Sequence, residues 1–283
     1  MSDAAPENQR NWVDQMCSDL GQNRPHSARM QDYILEGNNH YKVDRSAAKD
    51  ILHVFPEMKT AENANVMYKK CALQHLSSCG IRQFIDVGMG FSRSPNLHEV
   101  VHPDSSVIYI DNDPIVLSYS DDLLVGSSES THCVLVDVTE TDQVIAALDT
   151  TGGVDFDQPV ALCLHAVLHL VSGERDPYGS VGRLMDRMAP GSYVSLTHYA
   201  SDIDVESLAA VAGLCEKLDT PFYPRTLDQV LRFFQDWEPV LRGVDVASVA
   251  HERSVEDLAW TMGRHIPLYA GMARKVENGG KRS

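Results

Sequence analysis

Between Arg82 and Phe91 the chain reads Arg-Gln-Phe-Ile-Asp-Val-Gly-Met-Gly-Phe, and this stretch constrains the fold more than any other. Phe84, Ile85 and Val87 form a short apolar run rich in β-formers, which predicts a buried strand. Asp86 and the alternating Gly88 and Gly90 predict a tight turn at its end. Glycine has no Cβ, so backbone there can take positive φ and lie directly against a ligand. A D-x-G-x-G by itself is a common turn. Its weight comes from a second apolar run, Val107–Ile110, which ends in Asp111-Asn112-Asp113. That carboxylate falls about 20 residues on, where a βαβ unit places the residue that holds a ribose.

The rest of the chain repeats this alternation. Strands are expected at Phe84–Val87, Val107–Ile110, Thr131–Val136, Val160–Leu164 and Tyr193–Thr197. Helices are expected through Asn96–Val101, from Pro114 (a residue tolerated at the first helical position) and over Tyr178–Met188. Strand and helix in turn predict a parallel, doubly wound sheet. Helices at Val205–Leu218 and Leu227–Phe234, an extended piece at Trp237–Leu241 and a strand near Pro267–Ala273 follow. Ahead of the first strand the pattern is helical. A short amphipathic helix is expected around Trp12, Val13 and Met16, and another over Ser27–Leu35, stopped by Gly37. Ser46–Phe55 follows, capped by Asp44 and closed by Pro56, then Thr60–Cys79 with Gly80 as its C-cap. The expected architecture is α/β: a doubly wound, mostly parallel seven-stranded sheet with an N-terminal helical cap. Residues 1–79 form the cap and 80–283 the binding domain.

Composition bounds the partners. The 283 residues are 43% hydrophobic and 23% charged, as in an ordinary globular protein. A net charge of −16 without a basic run argues against nucleic acid as a partner, because such a surface repels a phosphate backbone. Cys17, Cys71, Cys79, Cys133, Cys163 and Cys215 show neither a C-x-x-C nor a metal-ligand spacing, so they are expected to be reduced and structural, with no metal bound. The longest apolar stretch, Val160–Val171, is too short to cross a bilayer and is interrupted by two histidines. A polar N-terminus without an apolar core is not a secretory signal. A cytoplasmic protein without membrane contact is expected, its oligomeric state open.

Several motifs together resemble one family. They are Ser27-Ala28-Arg29-Met30-Gln31-Asp32-Tyr33-Ile34-Leu35-Glu36-Gly37, Asp86-Val87-Gly88-Met89-Gly90 and Tyr109-Ile110-Asp111-Asn112-Asp113-Pro114. Ala166-Val167-Leu168-His169 and Ala189-Pro190-Gly191-Ser192-Tyr193 complete them. Over about Arg24 to Lys275 the chain resembles the actinobacterial S-adenosyl methyltransferases, once catalogued as a domain of unknown function, within the class I S-adenosylmethionine-dependent superfamily. Two departures stand beside the expected ligand. Glu36-Gly37-Asn38-Asn39 replaces the family's Gly-Gly-Lys-Asp, and Met89-Gly90-Phe91-Ser92 replaces a Ser-Gly-Leu-Pro pattern.

The resemblance implies a Rossmann-like fold and S-adenosylmethionine as cofactor. Arg93 stands where a dinucleotide site needs its third glycine, which also argues against NAD. Gly88 and Gly90 would meet the methionine end of the cofactor, and Asp86 its amino group, unless Asp86 is a capping carboxylate. Asp111 would accept from both ribose hydroxyls, with Asn112 shaping the turn. Asp137 would accept from the adenine amino group and Val138 lie on the ring, the alternative for Asp137 being a turn carboxylate. His165 and His169, at the end of the fourth strand, are candidate general bases; backbone hydrogen bonding is the alternative, and His198 is a further candidate on the substrate side. Arg29 and Tyr33 are candidates to close over the cofactor, with Asn39 and Tyr41 toward substrate, unless the segment is a surface cap. Tyr223, Trp237 and Tyr269 belong either to an acceptor pocket or to core.

The expected reaction is methyl transfer to an O, N or C atom of a small-molecule acceptor, in specialised metabolism. Two alternatives stand: aminocarboxypropyl transfer or cyclisation from the same cofactor, and a non-catalytic cofactor-binding protein.

Overall fold

The computed structural model describes residues 21–91, 96–119, 130–240 and 266–277. The expected helix around Trp12 lies outside the described residues. Three helices come first: α1 (Ser27–Ile34), α2 (Lys42–Val54) and α3 (Met58–Ser78). The alternating part then runs β1 (Gln83–Val87), α4 (Leu97–Val100), β2 (Ser106–Asp111), α5 (Pro114–Ser118) and β3 (Thr131–Leu135). It continues through α6 (Thr141–Thr151), β4 (Ala161–His165), α7 (Pro177–Arg187) and β5 (Tyr193–Tyr199). It closes with α8 (Val205–Lys217), α9 (Leu227–Leu231), β6 (Glu238–Pro239) and β7 (Leu268–Arg274).

The seven strands lie in the order β3-β2-β1-β4-β5-β7-β6. The first five are parallel, and β7 runs antiparallel to both β5 and β6. The order reverses between β1 and β4, which opens a crevice at their carboxyl ends.

Strand side chains alternate between the two sheet faces. Ile85, Val87, Ile108, Ile110, Leu162 and Leu164 enter one core. Phe84, Val107, Tyr109, Ala161 and Cys163 enter the other, which the three N-terminal helices complete. The parity that sends Phe84 toward α3 sends Asp86 the same way, and likewise His165, Ser195 and Thr197. Helix α3 answers them with a polar stripe, Glu62, Asn65 and Lys69, at helical spacing. Glu62 accepts from Tyr199 at 2.6 Å, Asn65 accepts from Thr197 at 2.5 Å, and Lys69 donates to Asp86 at 2.7 Å. This stripe registers α3 on the sheet end that carries the crevice.

Some elements differ from expectation. Helix α2 starts four residues before Ser46, because Asp44 sits inside its first turn and its carboxylate accepts from the Tyr41 N–H at 2.8 Å. No helix is expected from the sequence between β3 and β4, yet α6 forms there, with Val144 and Leu148 buried and Gly152 closing it in the left-handed conformation. The extended piece at Trp237 shrinks to the two residues of β6, and Leu241 lies outside the described residues. Among the described residues no helix is long and apolar enough to cross a membrane.

Candidate active site

A cavity of about 340 Å³ opens at the carboxyl ends of the central strands. Its wall includes Val87, Gly88 and Gly90 after β1, Asp111 and Asn112 after β2, and Val136 to Val138 after β3. Gln31 and Glu62 of α1 and α3 line it too, with His169, Pro221 and Tyr223.

The glycine turn carries the left-handed backbone that its sequence predicts, with φ of 73° at Gly88 and 55° at Gly90. A Cβ on Gly88 would stand 2.8 Å from Val167 Cγ2, so this glycine lets the turns after β1 and β4 close on each other. A Cβ on Gly90 would meet only the Gln31 side chain, at 3.5 Å, and would project into otherwise open cavity. Asp111 joins the two strand ends. Its Oδ2 accepts from the Gly90 N–H and its Oδ1 from the Asp113 N–H, each at 2.9 Å. Burial pushes the Asp111 carboxyl up, against the pull of those two backbone donors and of His26.

Asp137 is partly exposed on the cavity wall. Burial alone would raise its carboxyl, but two Thr139 donors, Asn112 and Arg175 outweigh it and hold the group below its ordinary range. Asn112 Nδ2 and Arg175 Nη1 each donate to Asp137 Oδ2 at 3.1 Å. Val138 is 7% exposed and lines the cavity beside it.

The three histidines fall in three different surroundings. His169 sits in a 3₁₀ turn over Leu168–Leu170 and lines the cavity. Its carbonyl accepts from Tyr223 N–H at 2.6 Å, and Arg225 fixes the turn by donating to the Leu168 and Val171 carbonyls. Among the described residues its Nδ1 has no hydrogen-bond partner. Burial, then His198 and Arg225, holds the ring well below the usual imidazole range, so it is neutral. His165 points instead beneath the crevice, toward α3, with Nε2 3.0 Å from Ser195 Oγ. His198 has the opposite parity on β5 and meets Arg225 at 2.9 Å; burial pushes it down to about 3. Neither His165 nor His198 is on the cavity wall.

The other expected site residues also divide. Gly88, Gly90, Asp111, Asn112, Asp137 and Val138 converge on the cavity with His169 and Tyr223. Asp86 does not, because strand parity turns its carboxylate to Lys69. Arg29 is 2% exposed and spends its guanidinium on Asp44, Asp113 and the Gly21 and Arg24 carbonyls. Tyr33 packs edge-on against His40, Asn39 donates its backbone N–H to Asp32, and Tyr41 lies under Arg29 and accepts from Gln22. These four tie the cap together rather than line the cavity. Trp237 and Tyr269 are core. Gln31, inside the Ser27–Gly37 motif, and Glu62, outside every motif, are also on the wall. Among the described residues no group of His, Cys, Asp and Glu is placed to hold a metal ion.

This strand order, with an antiparallel β7, a glycine turn after β1 and a carboxylate at the end of β2, is the class I S-adenosylmethionine-dependent methyltransferase architecture. The chain belongs to the S-adenosyl methyltransferase family, whose model matches residues 14–276. Among solved structures it is similar to a DUF574 family protein from Streptomyces avermitilis, at 32% identity and a TM-score of 0.81, over 90% of this chain and 99% of that one. It is also similar to a candidate methyltransferase from Thermobifida fusca, at 27% identity and a TM-score of 0.80, over 92% and 98% of the two chains. An O-methyltransferase family protein from Burkholderia thailandensis shares the fold, at 12% identity and a TM-score of 0.51, over 78% and 59%. No curated protein matches the chain at a significant level. The chain is an S-adenosylmethionine-dependent methyltransferase.

The residues fit that cofactor. A carboxylate offers about four lone-pair sites, and the two backbone donors on Asp111 leave two of them for neighbouring hydroxyls. The missing Cβ of Gly90 leaves the cavity open beside it, and Val138 gives an apolar wall next to the polar edge of Asp137.

Proposed function

We propose that the enzyme methylates an O, N or C atom of a small-molecule acceptor that enters beside His169 and Tyr223. The observation that supports this most is the continuity of the cavity. The same cavity is lined by Asp137, Val138, Asp111 and Gly90, which suit an adenosyl group, and by Gln31, Glu62, His169 and Tyr223, which suit a second reactant.

Bound S-adenosylmethionine supplies an electrophilic methyl group on a good, cationic leaving group. What the chain adds is alignment and exclusion of water. Asp111 would accept from the ribose hydroxyls, Asp137 from the adenine amino group, and Val138 would cover the ring. Gly88 and Gly90 would let backbone approach the methionine portion. The helices before β1, α1 to α3, would serve as a cap over that end. His169 is neutral and lines the cavity; its Nδ1 is buried, so Nε2 is the nitrogen that would accept a hydrogen bond from an acceptor O–H or N–H and take its proton as the bond to carbon forms. The net charge of −16 supports a small acceptor over nucleic acid. The role proposed is a cytoplasmic one in actinobacterial specialised metabolism.

The test is turnover with S-adenosylmethionine against panels of phenols, carboxylic acids, amines and activated carbon acids, read by mass spectrometry. Methyl gain on an acceptor, with S-adenosylhomocysteine released, is the expected result. Methylthioadenosine as the coproduct would contradict methyl transfer, because it marks cleavage of the other bond at sulfur.

A further inference from the structure

We propose that Glu62, supplied by the helical cap, is the carboxylate that receives the ammonium of the cofactor's methionine tail. The inference rests on the proposed reading of the cavity and adds a residue that neither strand motif contains.

Glu62 is 5% exposed and lines the cavity. Its Oε1 accepts from Tyr199 Oη and its Oε2 from Gln31 Nε2, each at 2.6 Å. Two donors orient the group and leave two of its lone-pair sites open. No cationic side chain among the described residues forms an ion pair with it. A buried carboxylate without a cation is costly, and it is retained where one arrives or where the group takes a proton. Burial raises the Glu62 carboxyl while Tyr199 and Gln31 pull it back. An arriving ammonium would pull it back further.

Position decides which cation. Gln31 stands against Gly90 and donates to Glu62, so the carboxylate sits one side chain beyond the turn that meets the methionine portion. Asp86 has the sequence position for this task, but its Oδ2 is held by Lys69 and it lies off the cavity wall. A sulfonium has no N–H to offer a carboxylate. The ammonium has three donors and fits the open lone pairs.

The experiment is calorimetric titration of wild type, Glu62→Gln and Tyr199→Phe with two ligands. S-adenosylhomocysteine carries the amino-acid tail, and 5′-methylthioadenosine keeps the adenosine and sulfur without it. Glu62→Gln is expected to weaken S-adenosylhomocysteine about tenfold, as for a lost charge-assisted hydrogen bond, and methylthioadenosine less than about twofold. Tyr199→Phe, which keeps the carboxylate, is expected to keep the preference for the longer ligand. Equal weakening of both ligands by Glu62→Gln, or of neither, overturns the inference. So does a Tyr199→Phe variant that loses the preference as fully as Glu62→Gln. A wild type that bound neither ligand would overturn the reading of the cavity itself, so the two failures are distinguishable.

Discussion

Lys69→Met separates a structural carboxylate from a ligand-binding one. Asp86 is fully buried, its Oδ2 accepts from Lys69 at 2.7 Å, and its Oδ1 has no hydrogen-bond partner among the described residues. Removing one partner of a buried ion pair costs about 3–5 kcal/mol, because the other charge is left uncompensated. The Lys69 side chain is 23% exposed, which places the expectation at the lower end, about 3 kcal/mol. With an unfolding entropy of about 2.1 cal/mol/K per residue over 283 residues, that is a fall of about 5 °C in Tm. The pH dependence has a definite sign. Burial already raises Asp86 above its ordinary value, against the pull of Lys69. A raised carboxyl contributes stability below its unfolded pKa and loses it as pH rises through the folded one. Without Lys69 the folded pKa moves further up, so the deficit of Lys69→Met is largest at neutral pH and shrinks as the solution is acidified. Adding Asp86→Asn removes the stranded charge and should recover most of the loss. Thermal and urea melts across pH read all three variants. If Lys69→Met melted like wild type at neutral pH, or Asp86→Asn alone weakened S-adenosylhomocysteine tenfold, the placement of Asp86 behind the site would be wrong.

Two further perturbations follow from the cavity walls. Gly88→Ala forces a side chain onto a φ of 73° and against Val167; the backbone part alone costs about 1–2 kcal/mol. In urea melts, adding Val167→Ala should recover the contact but not the backbone part, and full recovery would refute the conformational argument. His169→Gln is expected to lower kcat about a hundredfold, at the modest end of general-base effects, with S-adenosylhomocysteine affinity nearly unchanged. The His169 ring lies well below the usual imidazole range, so it stays neutral through neutral pH, and activity dependent on it should fall only as pH drops through that depressed value. A wild-type inflection near neutrality that vanished in His169→Gln would contradict the assigned charge state.

Much of this was legible because strand periodicity is local. The alternation from Gln83 to Arg274, the glycine turn and the carboxylate at the end of β2 are read from neighbours in sequence. Asp111 is the clearest case: its place at a strand end beside Gly90 follows from spacing alone. Asp86 shows where local reading stops. Period two says that it shares a face with Phe84, but not that α3 lands on that face with Lys69 opposite. Arg29 is similar, since an arginine ahead of the first strand suits an anion until folding delivers Asp44 and Asp113 to it. Gln31 and Glu62 reach the cavity only through packing of α1 and α3 across the sheet. Helix α6 is the exception: Val144, Leu148 and Gly152 were a readable signal for a short helix.

Asp111 and the cavity around it carry the cofactor assignment. The most direct measurement is calorimetric titration of ligand-free protein with S-adenosylmethionine, S-adenosylhomocysteine and NAD, repeated on Asp111→Ala. The prediction is micromolar binding of the two adenosyl ligands and none of NAD. Asp111→Ala should lose about tenfold to about a hundredfold, since hydrogen bonds to a charged group contribute about 1.5–3 kcal/mol. If neither adenosyl ligand bound to wild type, or if Asp111→Ala bound them as tightly as wild type, the cofactor site described here would be contradicted.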